Sequence, residues 1–142
     1  MDGGYNALKD FPDPKQRALR ILEYSSMPGS SRHHWGTDFD LPVMINPYYE
    51  KGTGLKIYTW MQENAASFGF CQPYSPKDEA RPNGYNEEKW HWSYMPVAKL
   101  LTLQAERDLS DSLFTGFKGS EVATDIGILG NYVLGINAAC ME

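Results

Sequence analysis

Two histidines and two aspartates surround a single glycine in Ser31-Arg32-His33-His34-Trp35-Gly36-Thr37-Asp38-Phe39-Asp40. Far downstream, Glu87-Glu88-Lys89-Trp90-His91-Trp92 adds two carboxylates and the last histidine of the chain. No other part of the sequence is as rich in metal-binding side chains, so the two stretches make sense together only in a fold that lays them side by side. A hydrolytic zinc site needs three protein ligands and one open position, and two imidazoles with a carboxylate suit such an ion. We therefore expect His33, Asp40 and His91 to hold one zinc ion. Glu88 is then the general base for the water that the metal activates.

Local periodicity tightens this reading. Gly36 predicts a turn, because glycine carries no penalty at positive φ. Thr37 to Leu41 alternates as a strand does, and at an edge it can run past Pro42 to Met44. Asp38 and Asp40 then share one face, while Phe39 points to the other, toward the core. Asp38 stands either as a ligand in place of Asp40 or as an acceptor for a ligand histidine. Along a straight strand Glu88 and His91 point to opposite faces, so both reach one site only if Glu88 lies in a turn before the strand. Pro82-Asn83-Gly84 upstream favours such a turn. Ser93 shares the face of His91, and Trp90 and Trp92 read as core. His34 reads as a surface or supporting histidine and Glu87 as a solvated carboxylate. The bland alternative for the whole set is a satisfied polar cluster beside a turn.

Residues 1 to 12 read as a loose lead-in. Asp13-Pro14 offers a helix start, with Asp as cap and Pro at the first helical position, and the helix runs to Tyr24. Asn46 to Gly54 is a loop. Leu55 to Phe68 is a helix that Gly69 ends, Phe70 to Tyr74 a short strand, and Ser75 to Tyr85 a second loop. Trp90 to Tyr94 is a strand, followed by a helix from about Pro96 to Arg107. Ser120 caps a short helix to about Leu129 that Gly130 breaks, and Tyr132 to Ile136 reads as an edge strand or packed tail. Helices and strands mix without strand–helix repeats, which argues for α+β with an antiparallel sheet.

Composition excludes some functions. The 142 residues suffice for one domain with its own core, and 42% hydrophobic against 22% charged residues is a globular balance. A net charge of −5 argues against nucleic acid as a partner, which needs clustered Lys and Arg. No apolar run is long enough to span a membrane, and Met1-Asp2-Gly3-Gly4-Tyr5 has no signal-peptide character. The two cysteines, Cys71 and Cys140, lack structural-zinc spacing. They read equally well as a disulfide formed in an oxidising compartment or as two buried thiols.

The pattern Ser31-x-His33-x-x-Gly36-x-Asp38-x-Asp40, with Glu88-x-Trp90-His91 later, resembles the zinc D-alanyl-D-alanine carboxypeptidases of the vancomycin-resistance type. Their superfamily includes lysostaphin-type peptidases and the hedgehog signalling domain. The resemblance covers about residues 17 to 94 and implies an α+β fold, a small antiparallel sheet flanked by helices. It matches His33, Asp40 and His91 to zinc ligands, Glu88 to the catalytic base and Ser31 to a serine near the substrate carboxylate. It also implies peptidoglycan stem peptides as partners and the cell envelope, periplasm or extracellular space as the place of action. Two departures stand out. The family usually has a small residue where this chain has Asp38, so an extra carboxylate facing the site is expected. Its Tyr-Arg-Ser-like strand, whose arginine helps bind substrate, has no match in residues 1 to 16. We therefore expect residues 1 to 142 to be one zinc peptidase-like domain without an N-terminal family segment, with Arg32 joining Ser31 on the substrate carboxylate. Two functions follow: a carboxypeptidase of D,D or L,D type, or a non-catalytic zinc-binding module that recognises wall peptide or a protein partner.

Overall fold

The computed structural model describes residues 6–142; the first five residues of the expected lead-in lie outside it. The remainder of that lead-in is not loose, since Asn6 caps a short helix α1 (Ala7–Asp10). Helix α2 (Pro14–Ile21) starts as Asp13-Pro14 dictates, with the Asp13 side chain accepting from the Gln16 amide at 2.8 Å. It ends before Tyr24. Leu22 follows it into the main core, with Met27, Tyr74, Tyr85, Phe114 and Ile128.

The fold is α+β, built on a three-stranded antiparallel sheet in the order β1-β3-β2. Strand β1 is Asp38–Asp40, β2 is Phe70–Cys71 and β3 is His91–Tyr94. The central β3 pairs Ser93 with Asp38 and His91 with Asp40 on one side, and Tyr94 with Phe70 on the other. Opposed residues in a ladder point the same way, so this register alone gathers Asp38, Asp40, His91 and Ser93 on one face. Phe39 lies on the other face but is 38% exposed, set edge-on to Phe70 at 5.4 Å rather than in the core.

Helix α3 (Gly52–Asn64) begins earlier than its apolar pattern suggests, and a 3-10 turn (Ala65–Phe68) carries it to Gly69 at φ 81°. Residues 46 to 50 form a 3-10 turn packed on α3 rather than an open loop. That turn buries Tyr49 in a second core with Tyr58, Ala65, Trp90 and Trp92. Helix α4 (Met95–Asp108) leaves the end of β3 directly.

The C-terminal part departs furthest from expectation. Ser120 makes no cap bond, α5 is only Ala123–Ile126, and the break falls at Gly127 (φ 71°), not Gly130. Leu129–Val133 is a π-helical turn, and no strand forms from 132 to 136; Tyr132, Val133 and Ile136 are buried instead. Cys71 and Cys140 are joined in a disulfide that ties β2 to the C-terminal 3-10 turn (Ala138–Met141). Among the described residues no helix is long and apolar enough to cross a membrane.

Candidate metal centre and catalytic group

His33 sits on a 3-10 turn (Arg32–Trp35) capped at its start by the Ser31 hydroxyl oxygen, which accepts from the His33 amide at 3.2 Å. Gly36, at φ 71°, closes this turn and reverses the chain into β1. The reversal brings His33 over Asp40 and, across the ladder, over His91; the two imidazoles meet edge to face at 4.5 Å. His33 Nε2 lies 3.5 Å and His91 Nδ1 3.1 Å from Asp40 Oδ1. One ligand atom from each of the three residues falls within 4.8 Å of the others, so the group can hold a metal ion.

The outer ring nitrogens decide how well it fits one. His33 Nδ1 lies 3.2 Å from the carbonyl oxygen of Asp38, and His91 Nε2 lies 2.9 Å from the Asp38 carboxylate. Each of those nitrogens must be the N–H, because it faces an acceptor. The inward nitrogens of neutral rings are then bare lone pairs converging on an anionic oxygen. Only a cation makes that arrangement favourable. Two imidazole nitrogens and a carboxylate oxygen suit a zinc-like ion, so the residues present fit a metal.

Without an ion, protons take its place. The hydrogen bond to Asp40 raises His33 above its ordinary range, against burial and the nearby His91. Burial lowers His91, but hydrogen bonds to Asp38 and Asp40 outweigh it and bring the ring to about 9. Burial works against the Asp40 anion, yet His33 and His91 hold its carboxyl well below the usual carboxylate range.

Glu88 lies in the turn ahead of β3, as the parity of the strand requires. The His91 amide donates to its carbonyl at 3.3 Å, and Glu88 Oε2 comes to 3.6 Å from His91 Nδ1, the ring edge that faces the ligand cluster. Burial pushes the Glu88 carboxyl up to about 7; Asp40 adds to this, while His91, His33 and Arg81 oppose it. The turn is fixed from both sides. The Asn46 amide donates to Glu87 O at 2.8 Å and accepts from Lys89 N at 3.0 Å. Gln72 Nε2 donates to Glu88 O at 3.1 Å, with Tyr58 holding the other end of the Gln72 amide at 2.8 Å. Behind His91 stands the Tyr74 ring, 4.6 Å away. Neither Asn46, Gln72 nor Tyr74 was visible from sequence, since each acts across a fold-dependent distance and none belongs to a local pattern.

Two expectations about the first stretch are overturned. Arg32 does not reach toward a substrate carboxylate, because its side chain is fully buried. The 3-10 turn sends it inward, where it donates to Asp38 Oδ2 (3.3 Å), Thr102 Oγ1 (2.9 Å) and Ser93 Oγ (3.4 Å) and stacks on Trp35. Nor does Asp38 add charge to the open face. Its side chain is equally buried, on the far side of His91, with Arg32 as counter-ion. His34 is exposed and outside the cluster, and Trp90 and Trp92 are buried.

The sequence model of the VanY family, described as D-alanyl-D-alanine carboxypeptidase, matches residues 6–97, well over half the chain. The chain belongs to this family. A curated D-alanyl-D-alanine carboxypeptidase of Enterococcus faecalis is 36% identical over 72 residues, covering 51% of this chain and 25% of that protein. An uncharacterised protein of Haemophilus influenzae is 29% identical over 99 residues, covering 61% of this chain and 74% of its own length. A solved chain from the structure of the LdcB LD-carboxypeptidase is 29% identical, with 76% of this chain and 57% of that chain covered and a TM-score of 0.43. The chain thus spans about a quarter of the length of the Enterococcus carboxypeptidase.

Proposed function

We propose that this member of the VanY family is a zinc carboxypeptidase that removes a terminal D-Ala, or a similar residue, from peptidoglycan stem peptides. His33, Asp40 and His91 hold the ion. The observation that carries the reading is their convergence within 4.8 Å with the Glu88 carboxylate beside them. A bound zinc ion supplies a Lewis acid that polarises the scissile carbonyl and acidifies water.

The chain's own residues do the rest. Glu88, kept from bulk water, accepts a proton at Oε2 from the attacking water and returns it to the leaving amine nitrogen. Its buried position keeps it basic enough for that task. Asn46 and Gln72 hold the turn, so the carboxylate stays fixed through the cycle. Ser31, partly exposed and one residue from the ligand turn, is the remaining candidate for the substrate carboxylate. The disulfide suits an oxidising compartment, in keeping with action in the cell envelope or outside the cell.

One observation favours the second reading, a zinc module that binds wall peptide or a protein partner without turnover. Arg32 is buried, so it does not stand in for the family's substrate-binding arginine. Turnover separates the two. The zinc-loaded protein is incubated with a pentapeptide ending in D-Ala-D-Ala and with the tetrapeptide that presents an L,D bond, and released D-Ala is measured. Release from either, lost in Glu88→Gln, supports the peptidase; no release at any pH supports the binding module.

A further inference from the structure

The buried pair behind the ligand cluster has no counterpart in a metal site made only of His33, Asp40 and His91. The Asp38 carboxylate receives four hydrogen bonds. Oδ2 takes His91 Nε2 at 2.9 Å and Arg32 Nε at 3.3 Å; Oδ1 takes Ser93 Oγ at 2.6 Å and Thr37 Oγ1 at 2.9 Å. With both oxygens engaged and no exposure, it is not itself free to serve as a ligand. Its backbone carbonyl meanwhile accepts from His33 Nδ1. One residue therefore sets the orientation of both imidazoles, through its main chain for one and its side chain for the other.

The main-chain contact is open to any residue at this position. The side-chain contact needs an acceptor oxygen on the side chain, here supplied by a carboxylate, and a buried carboxylate requires a counter-charge. Arg32 provides it from the turn that also carries His33. Arg32 is in turn anchored to β3 through Ser93 and to α4 through Thr102, whose hydroxyl donates to Ala98 O at 2.8 Å. The pair is neutral as a unit, so the orienting carboxylate adds no net charge to the substrate side.

We infer that Asp38, charge-balanced by Arg32, is a positioning residue for metal capture: it holds His91 with its proton on Nε2 and its lone pair on Nδ1 aimed at the ion. The inference rests on the metal reading above. An acceptor behind a ligand histidine fixes the ring and strengthens it as a donor, and losing one weakens metal binding roughly 10–100-fold.

The test has two arms. Zinc affinity is measured by competition with a chromophoric chelator for the wild type, for Asp38→Asn, and for the double variant Arg32→Ala/Asp38→Ala, which removes both charges together. We expect both variants to bind zinc roughly 10–100-fold more weakly while their metal-free forms remain folded. In the second arm, 15N-histidine spectra of the zinc-loaded wild type should show a slowly exchanging proton on His91 Nε2, and should lose that protection in the double variant. Equal zinc affinity in a folded variant overturns the inference and leaves the metal reading standing. A zinc-loaded wild type with His91 bound through Nε2 does the same, even if neither variant folds. A wild type that takes up no zinc overturns the metal reading and this inference with it.

Discussion

Reducing the Cys71–Cys140 bond removes one cross-link and leaves every atom of both side chains in place. The two residues are 69 positions apart, and closing a loop of that length restricts the unfolded chain by about 4 kcal/mol in the chain-entropy treatment. That is a large share of the roughly 5–15 kcal/mol that holds a domain folded. With an unfolding entropy set by 142 residues, the loss corresponds to a fall of about 15 °C in midpoint. Differential scanning calorimetry of the metal-free protein, with and without a strong reductant, reads this directly, and Cys71→Ala/Cys140→Ala serves as a permanently reduced control. The double variant should melt somewhat lower still, because Cys140 is buried and truncation leaves a small void. A fall of less than about 4 °C on reduction would refute the reasoning, showing that the unfolded chain is already restricted or that the bond is enthalpically costly.

Three further outcomes follow from the site. Arg32→Met should destabilise the protein by about 3–5 kcal/mol in urea unfolding, because it takes the guanidinium from the buried Asp38 carboxylate; a loss under about 1 kcal/mol would show that the His91 ring alone balances that charge. Glu88→Gln should abolish turnover and yet stabilise the metal-free protein. The Glu88 carboxyl is raised from 4.5 to about 7, so folding disfavours its charged form. The penalty is absent below pH 4.5, grows through the interval and is complete above about 7, where it reaches on the order of 3 kcal/mol. Stability curves of wild type and variant should therefore converge at acid pH and separate at alkaline pH; parallel curves would contradict it. His91→Ala should abolish stoichiometric zinc in metal analysis, and unchanged content would remove His91 from the ligand set.

Sequence parity made much of the site readable. A period of two put Asp38 and Asp40 on one face, and the same parity required Glu88 to leave the strand before His91; both hold in the structure. The inward course of Arg32 was not readable. It depends on the 3-10 geometry of its own turn and on Ser93 and Thr102, which stand 61 and 70 positions away. The apolar run from 132 to 136 was ambiguous in kind, since a continuous run fits a buried helical turn as well as a strand. What decides it is Gly127 at φ 71°, which ends α5, and the π-type bond from Leu134 N to Leu129 O at 2.9 Å, while the Asn131 side-chain amide donates to Ile126 O at 2.6 Å. Phe39 lies opposite the two aspartates as the alternation predicts, but it rests edge-on against Phe70 at the surface and not in the core.

The double grip of Asn46 on either side of Glu88 has an evolutionary corollary. The segment around Asn46 and the turn that carries Glu88, the base we propose, share one clasp, so they behave mechanically as a single part. Lengthening or shortening the chain just before residue 46 would drag the Glu88 turn along with it. Diversification of specificity in chains built this way should therefore concentrate elsewhere, in the exposed run from Pro76 to Ala80.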